Sequence, residues 1–440
     1  MKTSYPPGSF NAHWFNLFNA ISFQIMMGAP IILFAKSLGA SSTVIGIIAS
    51  FTPLMTVFQL PAARFLDRFG FREFVLMGWG LRTVLIFLVA AIPVLGFLDE
   101  LTKMAVLLAT LFLFNLLRGI SSAAWMPWIA ALIPEEVRGR FLSRDQMFMH
   151  LGCLLSLGAS SMIMAGHVDP WEFSVVFLLS AIGGVLSLNF IRRIPEAASG
   201  EAAKRGSSPV PWRAMMAFPP FIRLLVFNVL YMIVVGSLGV FTVEFLREVK
   251  ALEISTVLWL SAFSFLGALL ALPWCGRIVD QVGSKPLIRV ATACFGLVIV
   301  GWFLLAARVI PVSWMVFGGF NFLAGVASAM FNLANVRIVM GAMPEMGRNH
   351  FFALFTVISS LGLGVSPVAW GLLLDFLGTF EATTGVFTWN RHSIYFLSLL
   401  AINVLSFLAT KFLIEPGDAK KFEAHPIYAR LKRSQRIWQR

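Results

Sequence analysis

Charge is scarce in this sequence. Only 12% of its 440 residues are Asp, Glu, Lys or Arg, about half the share of a soluble domain. A water-exposed surface around the whole chain is therefore excluded, and a membrane environment is indicated. Cysteine is scarce too. Cys153, Cys275 and Cys294 all fall in or at the ends of apolar stretches, without metal-ligand spacing. That rules against a disulfide framework or a thiolate metal site and leads us to expect buried, inert thiols. No nucleotide-binding loop, HExxH pair or nucleophile–base constellation occurs, so a membrane-embedded enzyme is the weakest functional class. No metal and no cofactor is expected.

Apolar runs are what the chain has in abundance. Stretches of about 20 residues, long enough to cross a hydrocarbon core as a helix, recur at roughly 12–35, 43–65, 74–96, 103–127, 142–165, 172–192, 219–243, 254–275, 286–306, 312–337, 351–374 and 392–414. The short alternating segments of an outer-membrane barrel are absent. With both termini inside, 26 Lys and Arg fall on the inner side, six on the outer side and two, Arg82 and Arg118, within helices. This is the positive-inside bias of a multi-pass protein of the cytoplasmic (inner) membrane. The net charge of +13 is thus accounted for by topology rather than by nucleic acid. The basic tail after Lys420 and Lys421 is expected at the anionic inner leaflet.

The two halves of the chain repeat one another. Residues 62–73, AARFLDRFGFRE, are a knot of charge with an echo at 276–285, GRIVDQVGSK. Asp67, Gly70 and Arg72 align with Asp280, Gly283 and Lys285 at a constant offset of 213, and SSTV at 41–44 matches ISTV at 254–257. IPEEVRGRF at 133–141 matches MPEMGRNHF at 343–351, which pairs Arg138 with Arg348. FNLLRGISSAAW at 114–125 matches FNFLAGVASAMF at 320–331. Six spans per half is an even number, so both halves have the same orientation, as in a parallel-repeat transporter. The fold class expected is therefore an all-α polytopic membrane protein, with twelve transmembrane helices in two parallel-repeat six-helix bundles. Its parts are an N-terminal bundle at 1–194, a cytoplasmic linker at 195–213, a C-terminal bundle at 214–415 and a basic tail at 416–440. The linker sequence PEAASGEAAKRGSSPVPWR has the composition of a flexible hinge.

The loop pattern G-x-x-x-D-R-x-G-R resembles that of the major facilitator superfamily, and PEEVRGR resembles the family's helix 4–5 loop. The first copy has Ala63 where Gly is usual, and the second has Gln281 after the Asp. The resemblance implies a twelve-helix carrier whose path is lined by helices 1, 4, 7 and 10. It also implies a cytoplasmic gate at Asp67, Arg68, Gly70, Arg72, Arg138, Asp280, Gly283, Lys285 and Arg348. An ion pair at that depth is partly desolvated and makes a better latch than an exposed one.

The repeat also marks where a substrate could sit. Asn115, Gly119 and Ser122 are matched by Asn321, Gly325 and Ser328, whereas Arg118 is matched by Ala324. Packing does not demand an arginine there, and a charge near mid-membrane usually faces a water-filled path. Asn115, Arg118, Ser122 and Met126 share one helix face. Further path candidates are Asn16 and Asn19 in helix 1, Trp125 in helix 4, Gln146 and His150 on helix 5, and Asn228 and Tyr231 on helix 7. Helix 10 adds Asn321, Asn332 and Asn335 on one face. Arg82 is expected to snorkel towards the inner face. None of the 21 Asp and Glu residues falls at mid-membrane in this reading, so His150 is the candidate proton carrier.

The expected function is secondary active or facilitative transport of a small organic solute by alternating access. The expected partners are a small-molecule substrate, a coupling proton or sodium ion and the lipid bilayer, with no nucleic acid, and a monomer is expected. The alternative is a transport-inactive membrane sensor or assembly factor built on the same scaffold.

Overall fold

The computed structural model describes residues 6–166, 168–196, 218–248, 252–311, 313–342 and 348–414. The expected linker, apart from Pro195 and Glu196, and the basic tail lie outside the described residues. Among the described residues, twelve helices are long and apolar enough to cross a membrane. We number them α1 (Asn11–Ser37), α2 (Ser42–Ala62), α3 (Phe71–Val94), α4 (Glu100–Leu132), α5 (Gly139–Ile163), α6 (Pro170–Arg192), α7 (Pro219–Glu248), α8 (Ile254–Gly276), α9 (Ser284–Ala306), α10 (Trp314–Val339), α11 (Leu354–Leu377) and α12 (Arg391–Phe412). Helices are what such a chain must form, because in hydrocarbon each backbone N–H and C=O needs a partner within its own segment.

Where the chain enters these helices, local chemistry fixes the start. The Ser41 side chain accepts from Val44 N at the start of α2, and Asp99 accepts from Thr102 N at the start of α4. Asp169 with Glu172, and Asn390 with Ser393, form reciprocal capping pairs on α6 and α12. These four starts lie at the face opposite the two termini, called here the far face. On the face that bears the termini, α2 turns into α3 at Gly70 (φ 75°) and α8 turns into α9 at Gly283 (φ 95°). A side chain is strained in that left-handed region, which accounts for glycine at both copies of the loop pattern. Proline interrupts several spans. The first is broken at Gly28 just before Pro30, and the fourth is broken between Ser121 and Trp125, just before Pro127.

Helix pairing carries the repeat into three dimensions. In the first half α1 packs on α5 and α6, α2 on α4, and α3 on α4 and α6. The second half has the corresponding pairs: α7 on α11 and α12, α8 on α10, and α9 on α10 and α12. Between the halves the main seams are α2 with α11 and α5 with α8. Glycines set how closely these helices approach. A Cβ on Gly46 would clash with Pro367 O, and one on Gly371 would clash with Ser42 O.

Two features were not foreseen from the sequence. The loop between α11 and α12 carries a hairpin, in which β1 (Glu381–Thr384) pairs antiparallel with β2 (Phe387–Asn390). Gly385, at φ 61°, makes the turn, and Phe387 and Trp389 pack on Phe303. The second feature is Arg82. It does not snorkel; its side chain is 0% exposed. Two aromatic faces and an amide hold it, as described below.

Candidate functional site

A cavity of about 310 Å³ is enclosed mainly by the C-terminal bundle, at the level of the middle of its spans. Helices α7, α8, α9 and α10 supply most of its wall, including Trp302, Phe265, Asn321 and Asn332, and His150 of α5 is the N-terminal bundle's contribution. The lining is amphipathic: indole and phenyl faces with a few amides and hydroxyls, the usual make-up of a small-solute site. The C-terminal counterparts of a whole stretch of α4 also line it, namely Asn321, Ala324, Gly325 and Ser328. Their N-terminal counterparts Asn115, Arg118, Gly119 and Ser122 do not line this cavity; Asn115 is buried against Thr52 and Gly119 packs on Met55 O, both on α2.

The two faces of the molecule differ. At the far face the bundles are joined. Glu244 of α7 is 0% exposed and accepts from Lys36 Nζ at 3.1 Å and Ser42 Oγ at 2.6 Å. Glu248 is 3.2 Å from Lys36 and also receives Arg391 at 2.6 Å. Asp375 accepts from the backbone N–H groups of Ser42 and Thr43 at 3.0 and 2.8 Å, capping α2 from the opposite bundle. Ser161 on α5 donates to Ser255 O at 2.8 Å. At the face bearing the termini, Gly139 and Gly276 have no heavy atom within 4 Å of where a Cβ would stand.

The gate residues named from the sequence divide in two. The side chains of Asp67, Arg138, Asp280 and Arg348 lie outside the described residues. Those that are described bind within their own bundle. Arg72 donates to Ile194 O through Nε and Nη2, at 3.2 and 2.9 Å, and is 3.5 Å from Glu196. Lys285 donates to Lys411 O and Leu413 O at 2.8 and 2.7 Å. Arg68 is exposed and lies over the Phe69 ring.

The path candidates divide in a similar way. His150, Asn321 and Asn332 line the cavity, and Gln146 is exposed one turn from His150. Asn228 and Asn335 are buried and exchange hydrogen bonds at 3.2 and 2.9 Å, tying α7 to α10. Tyr231 is buried too, stacked on Phe331 with its hydroxyl unpartnered. Trp125 packs on Phe15 and Trp128. Asn16 donates to Asp145, and His13 lies 3.2 Å from the same carboxylate. This buried His13–Asp145 pair had no signal in the sequence reading, because Asp145 is close enough to the end of its span to pass for a loop-side charge. Asn115 accepts from Thr52 Oγ1 at 2.7 Å and donates to Leu111 O, so α4 is tied to α2.

Asn19 leads to the most unusual cluster in the N-terminal bundle. Its Oδ1 accepts from Trp79 Nε1 at 3.0 Å and from Arg82 Nη2. The Arg82 guanidinium is sandwiched by aromatic rings, 4.9 Å from the Trp79 centroid and 5.1 Å from that of Phe114. Its Nε and Nη1 are buried without a partner. Arg118, one turn beyond Phe114 on α4, lies 4.6 Å over the Phe23 ring of α1 and is half-buried. Arg82 thus packs against the turn of α4 that carries Arg118. Among the described residues neither is paired with a carboxylate. A single arginine at mid-membrane costs at least about 2.5–3.5 kcal/mol on the insertion scale. Cation–π contacts return roughly 0.5–2 kcal/mol each.

Two bundles of six related by an internal repeat and joined at one face define a multi-pass membrane scaffold. The sequence profile of the Major Facilitator Superfamily matches residues 14–257 and again 245–438, and the chain belongs to that family. Solved structures agree in fold. A D-xylose-proton symporter is 15% identical with a TM-score of 0.73, covering 93% of this chain and 98% of that one. A mutant form of the nucleoside transporter NupG is 12% identical with a TM-score of 0.68, covering 92% and 100%. The inward-open xylose transporter XylE from E. coli is 16% identical with a TM-score of 0.69, covering 92% and 96%. No curated protein sequence matches the chain.

Proposed function

We propose that this protein is a secondary active or facilitative transporter moving a small organic solute across the cytoplasmic membrane by alternating access. One observation carries the reading. The cavity is lined by Asn321, Ala324, Gly325 and Ser328 of the C-terminal bundle together with His150 of the N-terminal one, which supports a solute site reached from both bundles. The far-face cluster around Glu244 would then be the closed outer gate, and the face bearing the termini, placed in the cytoplasm by its excess of Lys and Arg, would be the open inner one. Alternating access needs a bistable pair of such contacts, one set made while the other is broken. Asp67 and Asp280 would supply the second set when the inner face closes. His150, on the cavity wall, is the group we assign to a coupling proton, with sodium coupling or uniport as the outcomes if it carries none. The protein would act as a monomer and carry out no covalent chemistry.

The test begins with ligand-induced thermal stabilisation of the purified protein by sugars, nucleosides, amino acids and organic acids, since binding to the folded state raises its apparent stability. Any stabilising solute is then assayed for flux in proteoliposomes. A protein that binds the solute but moves none of it across the bilayer would overturn transport.

A further inference from the structure

We infer that Arg82 and Arg118 together form a binding site for an anionic group, so that the transported solute is an organic anion bearing a carboxylate or phosphate. The inference rests on the transport reading and adds the substrate's charge class to it.

Three helices build the site. Asn19 and Phe23 are one turn apart on α1, Trp79 and Arg82 one turn apart on α3, and Phe114 and Arg118 one turn apart on α4. Each aromatic residue presents its ring to a guanidinium, and Asn19 fixes Arg82 by one N–H while leaving Nε and Nη1 without a partner. Structural arginines inside membranes are normally satisfied by carboxylates or backbone carbonyls. Here neither is paired with a carboxylate among the described residues, and both stand at one turn of α4, Arg82 against Phe114 and Arg118 one turn further on. Two adjacent cations in a low-dielectric setting need an anion between or beside them. The chain supplies none among those residues, so the solute is the remaining source. Arg118 is half-buried while Arg82 is fully enclosed. A ligand entering along the path would meet Arg118 first and reach the free N–H groups of Arg82 only after displacing what covers them. The second bundle has Ala324 in place of Arg118, so the anion would be held by the N-terminal bundle, and the apolar part of the solute would lie towards Phe265 and Trp302 across the cavity.

The experiment uses purified full-length protein in detergent at constant ionic strength. Succinate, inorganic phosphate and, as a neutral control, D-xylose are titrated while thermal unfolding is followed. Succinate or phosphate is expected to raise the melting temperature saturably, and xylose is not. Arg118→Gln and Arg82→Gln should each weaken that anion affinity ten- to a hundredfold, with Arg118→Lys recovering part of it. Without ligand, Arg118→Gln should melt no lower than the wild type, because it removes an unpaired charge; this also keeps the test informative if Arg82→Gln fails to fold. A lower melting temperature for unliganded Arg118→Gln, absence of stabilisation by both anions, or stabilisation that survives Arg118→Gln would each overturn the inference. The two readings fail separately. Flux of a neutral solute in proteoliposomes with no anion binding would reject the anion site and keep transport. Anion binding lost in the arginine variants, with no flux of any solute, would keep the site and reject transport.

Discussion

Lys36 Nζ lies 3.1 Å from Glu244 Oε1, so the far ends of the first and seventh spans are joined across the two bundles by an ion pair whose acidic partner has no exposed surface. Ser42 Oγ, from the start of the second span, donates to the same carboxylate oxygen. The contact therefore unites three helices and crosses the seam that must part if the far face opens.

The first prediction concerns that pair. Glu244→Gln keeps the shape and can still bond Ser42, but it removes the buried one of the two charges that hold Lys36. A charge-assisted hydrogen bond contributes about 1.5–3 kcal/mol, so the far-face-open population should rise about ten- to a hundredfold. A cysteine placed at Ser161, 1% exposed where α5 meets α8, would report it in a background lacking the three native cysteines. Its reaction with a membrane-impermeant maleimide added from outside should accelerate. Unchanged labelling would mean that the pair closes nothing.

The second prediction has the opposite sign. If Asp67 latches the inner face, Asp67→Asn should favour the state with the far face closed and slow the labelling of the same cysteine. Solute binding should be largely retained and turnover reduced. Faster labelling, or normal turnover with unchanged labelling, would refute the latch.

A third prediction separates seams between bundles from seams within one. Gly46→Ala would drive a methyl group into Pro367 O, and Gly119→Ala would drive one into Met55 O. Overpacking of this kind costs about 1–3 kcal/mol. The α2–α11 contact can be relieved by opening the far face, so Gly46→Ala should mainly increase the Ser161 cysteine reactivity. The α4–α2 contact lies inside one bundle and has no such escape. Gly119→Ala should lower the melting temperature instead. If both variants lose stability equally, with no change in reactivity, the α2–α11 seam is not a moving one.

Much of this architecture was legible in the sequence, for identifiable reasons. Membrane spans are long apolar runs, and the repeat preserved turn residues such as Gly70 and Gly283 because both copies need a left-handed backbone. Single polar residues were less legible. Asn228 and Asn335 sit on faces that periodicity assigns to a path, yet they satisfy each other, as amides between packed membrane helices often do. Arg82 read as a snorkelling residue because linear position gives depth but not the ring of Asn19, Trp79 and Phe114 that encloses it. The far-face cluster was missed because Lys36, Glu244 and Asp375 are far apart in the chain, and each alone looks like a helix-end charge.

Tyr231 supplies a fourth prediction. It was a path candidate by position, but its ring is stacked on Phe331 and its buried hydroxyl has no partner. Removing an unsatisfied buried polar group relieves a desolvation cost of about 1–3 kcal/mol. Tyr231→Phe should therefore raise the melting temperature or leave it unchanged, with solute affinity intact. A tenfold loss of affinity without destabilisation would show that the solute reaches this hydroxyl.

The last prediction concerns energy coupling, and the cavity narrows it to one residue. His150 lies on the cavity wall, its ring 6.0 Å from that of Phe265 across the α5–α8 seam, with Nδ1 buried and unpartnered. An imidazole titrates near neutral pH in water, so at this position it could take a proton in one state and release it in the other. Glutamine keeps a hydrogen-bonding group of similar reach but cannot carry charge. If the coupling ion is a proton held here, His150→Gln should abolish accumulation driven by an imposed pH gradient while leaving solute exchange at equilibrium. Uptake by the variant should also lose its dependence on pH between about 5 and 8, the range in which a histidine changes charge. Both measurements are made on the same proteoliposomes, with counterflow as the control that the carrier is folded and cycling. A variant that still concentrates solute against its gradient in response to protons would remove His150 as the proton carrier. The buried His13–Asp145 pair between α1 and α5 would then be the next titratable group to substitute.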